Sequence, residues 1–253
     1  MDELVAYSFA LTVSESKRLI AKGVVALPAV QKALRDGMVI VTKGSTNAYI
    51  VEEITGQPLQ KGAYVLGRTV PAKADTAVVF DGSLPILVLN RGQRVEMSLD
   101  EAIAHSQRGD VVIKGANALN YRAGVAGVLV GHPQGGTIAT IIGTVYGTGL
   151  HMIIPVGLEK EVAGDIRELA TRVNLCPEVS RAAMPALWPI EGEIITELEA
   201  LKLLTGCEAQ QIGAGGLCGA EGASWFAVWG TQTQLAACRA LIESILGEPP
   251  FGA

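Results

Sequence analysis

From Thr137 to Leu158 the chain runs for 22 residues without an Asp, Glu, Lys or Arg. A run of that length meets the requirement for a membrane-crossing helix. It is also interrupted: Gly143, Gly147, Gly149, Pro155 and Gly157 fall inside it, as does His151. The turn at Gly147-Thr148-Gly149 splits it into a helical half, Thr137–Tyr146, and a β-rich half, Leu150–Val156. Each half is too short to span a bilayer. A buried helix followed by a strand covered on both faces explains the missing charge and the break together, and this is how a parallel sheet reads.

The same pattern recurs upstream. Met38–Thr42, Asp110–Lys114 and Val125–Val130 are short, β-branched runs with no polar face, each closed by a glycine-bearing turn. Ser14–Asp36 reads as helix interrupted around Gly23 and restarted near Pro28. Ala48–Ile54 reads as a helix closed by Gly56, and Ser98-Leu-Asp-Glu101 is a capping box opening another. Tyr64–Val70, Thr76–Phe80 and Pro85–Leu89 are further strand candidates. Strands alternating with helices predict an α/β fold, a parallel (Rossmann-like) sheet with helices on both faces.

The tail changes character. Thr196–Glu199 and Thr231–Gln234 are two more capping boxes, with strand-like Glu208–Ile212 and Ala223–Trp229 between them and an earlier strand near Gly192–Ile195. This predicts a smaller C-terminal α+β (ferredoxin-like) domain. The expected division is residues 1–180 and 181–253, near Pro177, Pro185 and Pro189. Trp225, Ala227 and Trp229 alternate with Ser224, Phe226 and Val228, so both faces of that strand are largely apolar. One should meet helices and the other the first domain or a second subunit, which predicts a homo-oligomer.

Composition narrows the function classes. A net charge of −5 leaves no basic surplus for phosphate backbones, so no nucleic-acid partner is expected, and no membrane partner either. Cys176, Cys207, Cys218 and Cys238 are scattered without a Cys-x-x-Cys pair, against a disulfide scaffold or a zinc ribbon. The opening Met-Asp-Glu-Leu-Val-Ala has no basic start, unlike a signal peptide, and a cytoplasmic location is expected. The histidines lack metal-ligand spacing, so no metal and no cofactor are assigned.

In a parallel sheet, ligands bind beyond the carboxyl ends of the strands. Lys43-Gly44-Ser45-Thr46-Asn47 combines a glycine, two hydroxyls and a helix N-terminus, suited to phosphate or carboxylate; the plain alternative is an N-cap by Ser45 or Thr46. Lys114-Gly115-Ala116-Asn117-Ala118-Leu119-Asn120 puts one cation and two amides on a strand end; the plain alternative is that Asn117 only ties down its own loop. Gly131–Thr137 is a second glycine-rich turn into a helix, with Gly135, Gly136 and Thr137 at its end. Glu159-Lys160 closes the next strand, reading as a solvated loop unless it faces the other turns.

These loops, in this order, resemble the superfamily of ribose-5-phosphate isomerase, glucosamine-6-phosphate deaminase and the CoA transferases, closest in pattern to its lactate-utilisation (LUD) branch. Arg35–Asn47 is similar to the family's helix, strand and Gly-Ser-Thr phosphate loop, and Lys114–Leu119 to the Thr-Gly-Ala-Asn-Ala-Ile of LUD proteins. Gly131–Gly136 takes the place of the isomerase's glycine-rich turn, and Ile153–Lys160 that of a strand followed by lysine. The resemblance spans about residues 14–165 through short motifs. The isomerase's acidic positions are Lys114 and Asn117 here, and its general-base glutamate is replaced by the apolar Thr137–Ile142, so isomerase activity itself is disfavoured. The resemblance implies a small anionic metabolite, phosphorylated or CoA-linked, held by Lys43–Asn47, Gly115, Gly135, Gly136, Thr137 and Lys160. Lys114 would be the electrophile and Asn117 the orienting donor, in an isomerase- or transferase-like enzyme or a non-catalytic sensor of this fold.

Overall fold

The computed structural model describes residues 5–67, 69, 81–176 and 185–251; the expected strand Thr76–Phe80 lies outside them. Among the described residues are twelve strands and eight α-helices in a mixed α/β arrangement. The central sheet runs, in spatial order, β10 (Glu193–Ile195), β8 (His151–Pro155), β5 (Val111–Ile113), β2 (Met38–Val41), β3 (Leu87–Asn90) and β4 (Gln93–Arg94). The first four are mutually parallel, and β3 and β4 complete the sheet antiparallel.

Alternate residues of these strands feed two cores. Val39, Val41, Val111, Ile113 and Ile153 pack on one face, and Met38, Ile40, Val112, Met152 and Ile154 on the other. This double burial is what the uncharged runs announce, each such side chain contributing roughly 1.5–3 kcal/mol. The first face is covered by α1 (Val13–Ala26), α2 (Pro28–Asp36) and α3 (Ser45–Thr55).

α1 corrects the reading of Gly23 as an interruption. The helix runs through it, and only glycine fits there, since a Cβ would stand 2.5 Å from Ala200 Cβ and 2.8 Å from Ala200 Cα. Gly23 marks a close helix approach rather than a break. Pro28 opens α2 as expected. α4 (Leu99–His105) starts at the Ser98–Glu101 capping box, both halves of which form.

α5 (Gly136–Thr148) and β8 divide the uncharged run at Gly149, which is left-handed (φ 77°). The helix is not the buried one expected. Ile138 and Ile141 are buried, but Gly143, Tyr146 and Gly147 are exposed. Its lack of charge reflects Thr and Gly, which need no burial. No helix among the described residues is long and apolar enough to cross a membrane.

Two further expectations are corrected. Tyr64, expected to open a strand, sits in a 3-10 turn, Lys61–Tyr64, and its hydroxyl donates to Val41 O (2.6 Å) while accepting from Leu87 N (2.9 Å). Val125–Val130 (β7) is antiparallel and lies outside the central sheet, between β6 (Ala118–Asn120) and β9 (Ala186–Ile190). Only Tyr121–Gly124 separate β6 from β7, room for a hairpin turn and far less than a parallel crossover needs. α6 (Ile166–Leu175) packs on this small sheet.

The tail contains α7 (Glu197–Thr205), β11 (Glu208–Ala214), β12 (Ser224–Gly230) and α8 (Gln232–Glu243), with both capping boxes formed. Its sheet is completed not by the strand near Gly192–Ile195, which extends the central sheet as β10, but by β1 (Val5–Leu11) from the other end of the chain. Strands on either side of the expected division therefore pair: β10 with β8, β9 with β7 and β1 with β12. Along β12, Phe226 and Val228 are buried, while Trp225 and Trp229 are 45% and 40% exposed.

Candidate functional site

Because β2, β5, β8 and β10 are parallel, their carboxyl ends open on one edge. Thr42–Asn47 leaves β2 there, Lys114-Gly115 leaves β5, Gly157–Lys160 leaves β8, and Thr196-Glu197 leaves β10. α1 packs against β8, β10, α3 and α7, and carries Ser16 and Lys17.

The N-cap of α3 is Gly44, without a side-chain cap, so neither Ser45 nor Thr46 acts as the cap. The Gly44 amide donates to Tyr64 O (2.9 Å). The amides of Ser45, Thr46 and Asn47 are first-turn donors with no intrahelical acceptor, at the positive end of the helix. Asn47 is fully buried, and its Nδ2 donates to Thr42 O (2.8 Å), Thr42 Oγ1 (3.2 Å) and Ile113 O (3.2 Å), tying the ends of β2 and β5 together. Its Oδ1 has no partner. A Cβ on Gly115 would stand 3.7 Å from that oxygen and from Pro155 O, so the missing side chain leaves space in front of it.

Three lysines meet at this edge. Lys114 is partly accessible, yet its amine lies deep enough that burial, reinforced by the Lys160 charge, lowers it to about 8. Its Nζ donates to Gly115 O (2.9 Å) and has no ion-pair partner among the described residues. Lys17 is likewise lowered to about 8 by burial and by Lys160, with Glu159 opposing; its ammonium lies 5.1 Å from the Phe251 ring centroid. Lys160 Nζ is 3.7 Å from Glu159 Oε1. The next residue on α1 shows that acids are not scarce nearby. Arg18 faces Glu52 (2.6 Å), Glu248 (2.9 Å) and Glu53 (3.0 Å) on another side of the helix. Lys17 forms no ion pair with any of them.

Two carboxyl groups complete the cluster. Glu197 is fully buried; burial, with the nearby Glu159 charge, raises it to about 7 against hydrogen bonds from the Leu158 amide and the Ser16 hydroxyl. Its Oε2 accepts from Leu158 N (3.0 Å), whereas its Oε1 and Glu159 Oε2 are buried without partners. Three lysine side chains thus gather with two carboxyl groups, of which the buried Glu197 is held half-protonated near neutral pH, in a chain of net charge −5. Such a site can hold an anion, accept hydrogen bonds from its polar groups, and exchange protons through Glu197 and Lys114.

The expected site is therefore partly assembled. Gly44–Asn47, Lys114, Gly115 and Lys160 share the edge, and Glu159-Lys160 faces the lysines instead of forming a solvated loop. Lys43 turns away, its Nζ bonding to Gly82 O. Asn117 ties its own loop, its backbone N–H donating to Gly127 O (2.7 Å) and its Oδ1 accepting from Leu129 N (3.0 Å). Gly135 and Gly136 begin α5, which packs against α4, with Gly135 against Trp188 and Ala139; no hydrogen bond or ion pair among the described residues links Gly135, Gly136 or Thr137 to the lysines. Sequence reasoning passed over Ser16, Lys17 and Glu197. The faint signal was a polar Ser14–Lys17 inside α1, facing a core where an amphipathic helix should be apolar.

The chain as a whole matches no family model, no curated protein and no solved structure.

Proposed function

We propose that the chain binds a small anionic metabolite, phosphorylated or CoA-linked, at the carboxyl edge of β2, β5, β8 and β10. The observation that carries this reading is the pair of ammonium groups, Lys17 and Lys114, set deep in the fold with no ion-pair partner among the described residues. An unpaired buried charge is costly, and an anion is the group that relieves it. The uncapped start of α3 supplies amide donors pointing the same way. The four parallel strands support the Rossmann-like reading of the sheet, and β1, β11 and β12 with α7 and α8 support the ferredoxin-like reading of the tail.

An isomerase- or transferase-like enzyme is favoured over a passive sensor by Glu159 and Glu197, which supply the acid–base group that the glycine-rich turn lacks. Inorganic phosphate is the simplest probe. Calorimetry should show it binding, and a saturating concentration near 100 times Kd should raise stability by about 2.7 kcal/mol. Lys114→Met should abolish both effects. Absence of phosphate binding to the parent protein, with an unmoved melting temperature, refutes the reading.

A further inference from the structure

We propose that Lys114 is an imine-forming residue, its amine condensing with the carbonyl carbon of a small anionic aldehyde or ketone held at this edge. The inference rests on the anion-binding reading above and adds a reactive atom to it.

The lysines of the cluster have different surroundings. Lys17 is held over the Phe251 ring and feels Glu159, both of which favour its charged form. Lys160 has Glu159 at 3.7 Å. Lys43 serves Gly82 O, and Lys22, Lys61 and Lys202 are paired with glutamates. Lys114 alone among these has only a neutral main-chain carbonyl, that of Gly115, and a second cation for a neighbour. A desolvated lysine beside another ammonium group is the arrangement that frees a neutral amine near pH 7.

The surroundings also suit the product. A protonated imine carries one N–H, and the carbinolamine before it carries one O–H; each needs an acceptor out of water. Asn47 Oδ1 is fully buried, unpartnered and separated from Gly115 by space that a side chain would have filled. The first-turn amides of α3 stand ready for the anionic end of the same molecule. In the condensation, the Nζ lone pair forms the new C–N bond. The carbonyl oxygen then leaves as water with one hydrogen of the neutral amine and one proton taken up from solvent, and the amine's other hydrogen stays as the N–H of the protonated imine. No electrons are exchanged, and no co-reactant is required.

Glyoxylate, the smallest anionic aldehyde, tests this with cyanoborohydride as the trapping reductant at pH 7, the modified lysines being located by peptide mass spectrometry. Lys114 should be carboxymethylated at least about tenfold faster than the exposed lysines, because a larger fraction of its amine is neutral. Inorganic phosphate should slow it, and Lys114→Met should remove the product without enhancing another. Labelling that spreads evenly over exposed lysines, or that reaches Lys17 first, overturns the proposal. If phosphate binds by calorimetry but glyoxylate leaves Lys114 unmodified, the imine fails while the anion site stands. If neutral formaldehyde modifies Lys114 first while phosphate neither binds nor protects, the anion site fails and the reactive amine stands.

Discussion

Replacing Lys114 by Met separates a ligand-facing lysine from a structural one. The amine titrates at about 8 in the folded chain, against 10.5 for an unhindered lysine. Between those values the unfolded chain holds the proton more tightly, so stability rises with pH across the window. Below pH 8 the folded chain carries the whole penalty; above pH 10.5 it carries none. A shift of about 2.5 units at ~1.4 kcal/mol each sets that penalty at about 3 kcal/mol. Met has similar length and no charge, and sacrifices the bond to Gly115 O, worth about 1 kcal/mol. The variant should therefore be about 2 kcal/mol more stable at pH 7. In a chain of this size that corresponds to a melting temperature roughly 4–8 °C higher. The advantage should shrink steadily when calorimetric scans are repeated from pH 8 towards 10.5, while phosphate binding is lost at every pH. A lower melting temperature at pH 7 with phosphate affinity intact would show that the ammonium holds the fold together, and the reasoning would be wrong.

Glu197 gives the opposite slope. Its folded value of about 7 lies above the usual 4.5, so the folded chain binds the extra proton and stability should fall as pH rises from 4.5 to 7. Together with the lysines this predicts a shallow minimum of melting temperature between pH 7 and 8, and Glu197→Gln should remove its acid-side slope. Gly23→Ala should destabilise by about 1–3 kcal/mol in chemical denaturation, despite the better helix propensity of Ala, because Ala200 backbone stands where the new Cβ would go. Gly44→Asp has room, the nearest atoms to a Cβ being those of Asn47 at 3.9 Å. Asp is a favoured N-cap, so this variant should melt higher yet bind phosphate more weakly; equal affinity for phosphate would move the anion away from α3.

The sequence was most legible where one physical signal had one structural solution. The runs Met38–Thr42 and Asp110–Lys114 had no polar face, and became β2 and β5, buried on both sides. The boxes at Ser98, Thr196 and Thr231 each opened a helix, because the reciprocal bonds they make are local. Partnership was less legible. Tyr7, Phe9 and Leu11 alternate with Ala6, Ser8 and Ala10, a readable strand, but nothing local says that its neighbour is Ser224–Gly230. Val125–Val130 carries the same β-branched signal as the parallel strands, and only the four residues before it distinguish a hairpin. Gly23 looked like a helix breaker because its reason for being glycine, Ala200, lies on another helix.

The site divides along the same line. Its backbone half, the turns after β2, β5 and β8, follows from sheet topology and could be located from glycines at strand ends. Its electrostatic half depends on how α1 and α7 dock, since they bring Lys17, Ser16 and Glu197 to turns far away in sequence. That half also decides what the site can do. A glycine-rich turn would accept many anions on geometry alone, whereas Lys17 and Lys114 make the empty fold bear a cost that an anion removes. Binding and stability are then linked through the same two amines. The charge on a bound anion should accordingly matter more than its shape: dianionic phosphate should raise the melting temperature further than monoanionic formate at equal concentration. Lys17→Met, which leaves Lys114 in place, should narrow that difference.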